Sequence, residues 1–166
     1  MNYKFKTKPY AHQTTALEKS WNKKVFAYFM EMGTGKTKVA IDNIAMLYDN
    51  GKINGALIIA PKSVYTVWYH TEIPKHLNIE YDMLLWKSTL REAKLREFFE
   101  KPSIKLKLFV MNVEAFSSDK GSFWAEEFCK RHINMVVVDE STCVKNYSAK
   151  RTKNILKLRK YSNYRR

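Results

Sequence analysis

The sequence predicts an α/β fold in which a mostly parallel central sheet is covered by helices on both faces. Short apolar runs alternate along the 166 residues with amphipathic stretches, as expected for strands and helices in turn. Several runs are apolar without interruption, which is typical of parallel strands buried on both faces. Hydrophobic residues make up 45% of the chain, enough for one core, and its four prolines and five glycines are not gathered into a linker. We therefore expect residues 1–166 to form a single domain.

The predicted elements begin with a helix and then pair each strand with the helix that follows it. Strands are predicted over residues 25–30, 55–60, 79–87, 105–116 and 133–140. Helices are predicted over residues 12–21, 36–50, 64–76, 88–100, 122–132 and 148–161. Among the local signals, Ser88 is the candidate N-cap of its helix, Pro74 bends or ends another, and Gly51 marks a C-terminal stop.

A glycine-rich loop, FMEMGTGKTK over residues 29–38, joins the first predicted strand to the following helix. Backbone N–H groups of such a turn, placed at a helix N-terminus, form a cradle for phosphate groups. Lys36 is expected to reach the β- and γ-phosphates, and the Thr37 hydroxyl to coordinate Mg²⁺. The strict Walker A pattern requires a glycine where this chain has Met30, but Gly35, Lys36 and Thr37 keep the rest of it.

Two carboxylates follow the apolar run 133–138, at Asp139 and Glu140. Parallel strands bring their carboxyl ends to one edge of the sheet, where open α/β folds bind ligands. Asp139 is expected to hold Mg²⁺ through its water shell, and Glu140 to act as general base toward the water that attacks the γ-phosphate. An acidic pair at a strand end is weak evidence for a metal site on its own. It becomes strong evidence together with the glycine loop.

Composition favours a polyanionic partner and an intracellular location. Lys and Arg total 30 against 16 acidic residues, a net charge of +14, which is typical of proteins that bind nucleic acid. The two cysteines give no disulfide framework, no apolar run is long enough to cross a bilayer, and the basic start lacks a signal-peptide core. We expect a cytoplasmic protein. A zinc site at Cys129, His132 and Cys143 lacks a fourth ligand.

Two further features leave alternatives open. Residues 145–166 carry nine Lys or Arg and no acid, a composition suited equally to phosphate contact and to a solvated helix face. The aromatic residues Tyr65, Trp68 and Tyr69 are interpreted as helix packing, with Tyr65 as the best candidate for stacking on a base.

The motifs resemble the first RecA-like domain of superfamily-two helicases and translocases, most closely the Swi/Snf-type, DEAD/DEAH-like branch. EMGTGKT is similar to motif I of that branch, in which the first Walker glycine is commonly replaced, APKSV to motif Ia, and DESTCVKN with the helix after it to motif II. Ser141 and Thr142 replace the Ala-His of many relatives, which resembles the "DEST" form of phage and bacterial members.

The resemblance implies ATP and Mg²⁺ as cofactors and nucleic acid as partner, more often double-stranded DNA than RNA. The segment KPYAHQ is similar to the one in which a glutamine reads adenine, although Gln13 on an exposed helix surface is the rival interpretation. The nucleotide-binding residues implied by the loop and by the resemblance are Tyr10, Gln13, Met32, Gly33, Thr34, Gly35, Lys36, Thr37 and Lys38. Those implied for the nucleic-acid backbone are Pro61, Lys62, Ser63 and Asn112, with Glu114 as a looser match.

The same family expects a motif III strand after residue 166 and a second RecA-like domain with an arginine finger. We therefore expect a fragment that is monomeric and that binds nucleotide but hydrolyses it poorly alone, because such fingers contribute on the order of 10³-fold or more to the rate. Two other classes stay open: a P-loop kinase or other NTPase, for which no arginine-rich lid is evident, and a nucleic-acid-binding module without motor activity.

Overall fold

The structure, a computed structural model, describes residues 3–140 and 146–166 and confirms the α/β class. Within these residues five strands form one sheet in the order β2-β3-β1-β4-β5, and every neighbouring pair is parallel. The strands are β1 Gly55–Ala60, β2 Tyr81–Leu85, β3 Leu106–Asn112, β4 Asn134–Val138 and β5 Tyr164–Arg165. All their carboxyl ends therefore lie at one edge of the sheet, as the sequence predicted.

Helices cover both faces of this sheet. They are α1 Ala11–Ser20, α2 Lys36–Asp49, α3 Tyr65–Val67, α4 Ile73–His76, α5 Glu92–Glu100, α6 Asp119–Arg131 and α7 Lys150–Lys157. A π-helical stretch, Trp68–Glu72, joins α3 to α4, and 3-10 turns cover Val113–Ser117 and Leu158–Lys160. In residues 3–140 and 146–166 no helix combines the length and the apolar character needed to cross a membrane.

Two apolar clusters lie on opposite faces of the sheet, because successive strand residues point to opposite sides. The first cluster joins α1, α2 and the α3–α4 segment to strand residues such as Ile58 and Val137. The second joins α5, α6 and α7 to strand residues such as Ile59 and Val136. The first cluster is the one that borders the glycine loop, since α2 starts there.

The strand predicted over residues 25–30 is wrong. Only Val25 pairs, in a parallel bridge with Arg165, supported by hydrogen bonds from Arg165 N to Lys24 O (2.7 Å) and from Phe26 N to Arg165 O (3.1 Å). Residues 26–30 belong to no strand of the sheet that the described residues form. An apolar, β-prone composition is therefore not enough to predict a strand.

Ser88 is not the N-cap of α5, which is a second correction. The helix begins at Glu92 after Arg91, whereas Ser88 lies in a turn closed by a 3.0 Å bond from Leu90 N to Lys87 O. Lys120 fixes that turn by donating to the carbonyls of Ser88 and Leu90, at 2.9 Å each.

Two other local signals, Gly51 and Pro74, can be compared with the structure. Gly51, with φ of 64°, follows the C-cap of α2 as expected for a helix stop. Pro74 does not end its helix, since it lies in the first turn of α4, which continues to His76 after the π-helical stretch.

Candidate active site

Two glycines give the loop before α2 its shape. Gly33 and Gly35 have φ angles of 78° and 81°, in the left-handed region that residues with a Cβ rarely adopt. At Gly35 the space is closed as well, because a Cβ placed there would lie 2.3 Å from Nε2 of Gln13. At Gly33 such a Cβ meets no heavy atom within 4 Å. Gly35 is therefore required both by its backbone angle and by the close approach of α1.

Helix α2 starts at the end of this loop with an N-terminus suited to an anion. Its N-cap is Gly35, which supplies no capping side chain, and no acidic residue lies in its first turn. The first N–H groups of a helix have no partner within it, and the helix dipole adds partial positive charge at that end. The N-terminus of this 14-residue helix thus fits the phosphate groups that the loop sequence predicts.

Lys36, the first residue of α2, folds back over the loop. Its Nζ donates hydrogen bonds to the carbonyls of Met30 (3.0 Å) and Glu31 (2.9 Å). Both acceptors are neutral, so a phosphate oxygen would be a stronger partner for the ammonium group. Thr37, the predicted Mg²⁺ ligand, is half-buried beside it at the start of the same helix.

Helix α1 holds the loop through two side chains that bond to one carbonyl. Gln13 donates from Nε2 to the carbonyl of Thr34 (3.0 Å), and His12 donates from Nε2 to the same oxygen (2.9 Å). The other end of the Gln13 amide accepts from the N–H of Tyr10 (3.0 Å). Gln13 is only 2% exposed, so it is not a surface residue of α1. Its amide connects α1 to the glycine loop.

Tyr10 and Met32 are predicted nucleotide-binding residues with large, exposed side chains. Tyr10 is 71% exposed and stacks on the ring of His12 at 5.9 Å, and Met32 is 91% exposed. Thr34 fixes the loop from within by donating from Oγ1 to the carbonyl of Glu31 (2.7 Å). The loop therefore presents backbone groups toward α2 and apolar side chains toward solvent.

Lys38 belongs to the loop motif in the sequence, but its side chain points away from the loop and into the core. It is 6% exposed, forms a buried ion pair with Asp42 one helical turn later, and lies 5.4 Å from the centre of the Phe5 ring. Burial raises the pKa of Asp42, and the Lys38 ammonium partly opposes that rise. The ammonium group of Lys38 is therefore committed to the core, and only its backbone N–H belongs to the loop.

Asp139 follows β4 directly and points to the α2 face of the sheet. Val137 packs in the cluster with α2 and Val138 packs against the opposite cluster, so the next side chain returns to the α2 face. Its backbone N–H donates to the carbonyl of Ile59 on β1 (2.8 Å). Its carboxylate Oδ2 accepts a 2.7 Å hydrogen bond from the indole N–H of Trp68, which belongs to the α2-side cluster.

Glu140 ends the described part of this motif in an unusual backbone conformation. Its φ of 52° is the only positive value among the non-glycine residues that the structure describes, and the residue is exposed. Such strain is concentrated at functional sites, where the surrounding structure must hold it. The next two residues of the predicted motif, Ser141 and Thr142, lie outside the described residues.

The loop and Asp139 share both an edge and a face of the sheet. Val25 runs parallel to β5 through its bridge with Arg165, so the chain reaches the glycine loop at the carboxyl edge. Asp139 leaves β4 at that same edge. Lys36 starts the helix that covers the face to which Asp139 points.

The predicted nucleic-acid residues lie at the ends of two neighbouring strands. Ala60 and Asn112 are register partners in the β1–β3 ladder, so Pro61, just after β1, lies close to Asn112. Lys62 and Ser63 follow in an exposed turn. Asn112 is half-buried and accepts a hydrogen bond at Oδ1 from the N–H of Ala115 (2.9 Å).

Other predicted features have clear positions as well. The exposed basic residues of the C-terminal segment lie mostly on one side of α7, and Lys150 pairs with Asp119 at 2.8 Å. Burial raises the pKa of the Cys129 thiol to about 12, and His132 bonds through Nδ1 to the carbonyl of Phe128 (2.9 Å). In the part of the chain that the structure describes, no three His, Cys, Asp or Glu residues group as metal ligands would.

A family comparison agrees with this geometry. The sequence model of the family described as SNF2-related domain matches residues 18–165, a range that includes the loop, the strand-end residues and Asp139. The chain belongs to the SNF2-related domain family. No curated protein matches it.

A solved structure confirms the RecA-like fold of this SNF2-related domain. It is described as the SWI2/SNF2 ATPase core of Sulfolobus solfataricus in complex with dsDNA, and it superposes with a TM-score of 0.73 at 18% sequence identity. The match covers 99% of this chain and 32% of that one, so the chain spans about a third of its length.

Two residues of the SNF2-related domain's site were not found by sequence reasoning. His12 was not assigned any role, although it contacts the loop beside Gln13. Trp68 was interpreted as helix packing, and it is indeed 1% exposed, but its N–H also bonds to Asp139. No local pattern links residues 71 positions apart, so only the fold reveals this contact.

Proposed function

We propose that this SNF2-related domain binds ATP with Mg²⁺ and is the nucleotide-binding half of an ATP-dependent motor that acts on nucleic acid. One observation supports the proposal above all. The glycine loop with Lys36 and the carboxylate of Asp139 lie at the same edge and on the same face of the sheet. That arrangement allows one phosphate-bound ligand to contact both.

The roles proposed for the loop residues follow from their present contacts. Lys36 exchanges the carbonyls of Met30 and Glu31 for phosphate oxygens, which are charged and so bind an ammonium group more strongly. The loop and the start of α2 donate backbone N–H groups to the same phosphates. Gln13 reads adenine in this proposal through the second N–H of Nε2 and the second lone pair of Oε1, beside its bonds to Thr34 and Tyr10.

The proposed metal-holding residues are Thr37 and Asp139, which offer the oxygen atoms that Mg²⁺ prefers. Bound Mg²⁺ supplies positive charge against the phosphates during transfer. Glu140 accepts a proton at its carboxylate from the attacking water, and its exposure leaves that carboxylate accessible.

The proposed track is double-stranded DNA, contacted by the strand-end turn. Lys62 and Ser63 are exposed there, beside Pro61 and Asn112, and basic residues and backbone N–H groups at such an edge suit backbone phosphates. The net charge of +14 supports a polyanionic partner. The solved structure that shares this fold was determined with dsDNA.

Hydrolysis in this proposal also depends on a second RecA-like domain of the same polypeptide. The Sulfolobus structure is about three times as long as the matched region, which leaves room for one. The sequence DEST places the chain, in our proposal, with phage and bacterial members of the branch, acting inside the cell as a monomeric domain.

Nucleotide binding tests the proposal directly. A fluorescent ATP analogue is titrated into the wild-type chain, Lys36→Ala and Lys94→Ala, the last an exposed lysine on α5 at the opposite face. Removing one partner of a buried charge pair typically costs 2–5 kcal/mol, so Lys36→Ala should weaken binding by about 30-fold or more. Lys94→Ala should bind like wild type.

A second measurement separates a motor domain from a nucleic-acid-binding module. Duplex DNA, single-stranded DNA and RNA of equal length are each titrated in the presence and absence of the nucleotide. A chain that binds nucleic acid but gives no saturable nucleotide signal would be a binding module, and the proposal would be wrong.

A further inference from the structure

We infer that Trp68 is a positioning residue for the metal-holding carboxylate, and this inference rests on the proposed function. The indole N–H of Trp68 donates to Oδ2 of Asp139 at 2.7 Å, within the range of a strong hydrogen bond to a carboxylate. The two residues are 71 positions apart in the chain. The contact joins the segment after motif Ia to motif II.

The environment of Trp68 makes this bond selective. The residue is 1% exposed and packs in the α2-side cluster, so its ring has little freedom to turn. An indole nitrogen is a donor only and carries no charge, so it holds a carboxylate oxygen without competing for a metal or giving up a proton. A π-helical stretch begins at Trp68, and such wide turns often occur at functional sites.

The Asp139 carboxylate is oriented at one oxygen and has no second side-chain bond within residues 3–140 and 146–166. The backbone of Asp139 is fixed by its 2.8 Å bond to the carbonyl of Ile59, so the remaining freedom lies in the side chain. With Oδ2 held by Trp68, the carboxylate is restrained from rotating, and its remaining lone pairs can face the water shell of Mg²⁺. Partners that orient a ligating carboxylate in this way typically change metal affinity by about 10- to 100-fold when removed.

Trp68 also connects this carboxylate to the proposed nucleic-acid contact. The backbone N–H of Trp68 bonds to the carbonyl of Val64 (3.1 Å), and that of Val64 bonds to the carbonyl of Pro61 (2.9 Å). The turn that carries Lys62 is thus two hydrogen bonds from the residue that holds Asp139.

Trp68 could instead have a purely structural role, in which Asp139 only satisfies its buried indole N–H. The test must separate this structural role from the positioning role. Trp68→Phe removes the donor and keeps an aromatic ring. Trp86→Phe is the matched control, because Trp86 is 2% exposed in the cluster on the other face of the sheet. Both variants lose one buried indole, but only the first loses a partner of Asp139.

The experiment measures binding of a fluorescent ATP analogue to the full 166-residue chain, first in EDTA and then as Mg²⁺ is added. Trp68→Phe should leave the metal-free affinity within about twofold of wild type and raise the half-saturating Mg²⁺ concentration about tenfold. Trp86→Phe should change neither. Thermal unfolding of each variant reports any general loss of stability.

A double-mutant cycle with Asp139→Asn identifies the route of the effect. If Trp68 acts through the carboxylate, Trp68→Phe should no longer raise the Mg²⁺ requirement once Asp139 is replaced. An equal increase in both backgrounds would overturn the inference. Should Trp68→Phe not fold, benzothienylalanine at position 68 keeps the ring shape, lacks the N–H, and is expected to give the same tenfold change.

The outcomes distinguish a failure of this inference from a failure of the proposed nucleotide-binding function. A wild-type chain that binds the analogue with a Mg²⁺ requirement, together with an unchanged requirement in Trp68→Phe, overturns the inference alone. A wild-type chain that binds no nucleotide with or without Mg²⁺ overturns both.

Discussion

Replacing Gly35 by alanine should damage the phosphate loop in two ways that the structure separates. The first is the backbone: φ is 81°, and the left-handed region costs a residue with a Cβ about 1–2 kcal/mol. The second is contact: the new Cβ would lie 2.3 Å from Nε2 of Gln13, so that amide must move. Its two hydrogen bonds, to Tyr10 and Thr34, are then strained or lost.

Gly33→Ala provides the matched control for this change. Gly33 has nearly the same φ, 78°, but a Cβ there meets no heavy atom within 4 Å. The control therefore carries the backbone cost without the contact. A net hydrogen bond contributes about 0.5–1.5 kcal/mol to stability, so losing both should lower the unfolding free energy of Gly35→Ala about 1–3 kcal/mol further than that of Gly33→Ala.

The assay is denaturant unfolding of each variant, with the affinity for a fluorescent ATP analogue and Mg²⁺ measured beside it. Gly35→Ala should lose about 1–3 kcal/mol more unfolding free energy than Gly33→Ala and should also bind the analogue more weakly, because the displaced amide no longer holds the loop. Adding Gln13→Ala to both variants should bring their unfolding free energies close together, because the clash at position 35 is then absent. Equal unfolding free energies for the two single variants would refute the argument that α1 shapes the loop.

Two other predictions follow from the strand-end turn and from the half-buried His132. Lys62→Ala should weaken duplex DNA binding and reduce the slope of log affinity against log salt by about 1, and it should leave nucleotide affinity unchanged. An unaltered slope would show that Lys62 does not contact the DNA backbone. Burial lowers the pKa of His132, so the folded state disfavours the protonated ring and loses stability as pH falls below about 6.5. His132→Gln should therefore show a smaller drop in unfolding free energy between pH 7 and pH 5 than wild type, and an equal drop in the two proteins would contradict this.

Local signals in the sequence predicted the parts of the site that depend on neighbours in the chain. Gly33 and Gly35 have positive φ as a phosphate loop requires, and Gly51 ends α2. The uninterrupted apolar run of β4 was enough to place Asp139 at a strand end, because a buried strand followed by a carboxylate is readable from a few residues.

The features that sequence reasoning missed depend on contacts between distant segments. The run 25–30 has the composition of a strand, yet strand pairing depends on segments distant in sequence, and within the described residues just Val25 of this run pairs, with Arg165. Lys38 follows the loop motif, but its side chain turns toward Asp42 because helical spacing places them together in the core. The sequence pattern around Trp68 predicts a packing residue, because no residue near it in the chain indicates its contact with the Asp139 carboxylate.

The most direct test of the central claim is a crystal structure of this chain with a non-hydrolysable ATP analogue and Mn²⁺, the metal being located by its anomalous scattering. The account predicts that Lys36 Nζ leaves the carbonyls of Met30 and Glu31 for the phosphates. It also predicts a metal about 2.1 Å from Thr37 Oγ1, with Asp139 contacting its water shell. A nucleotide bound away from the loop, or a metal with no connection to Asp139, would contradict it.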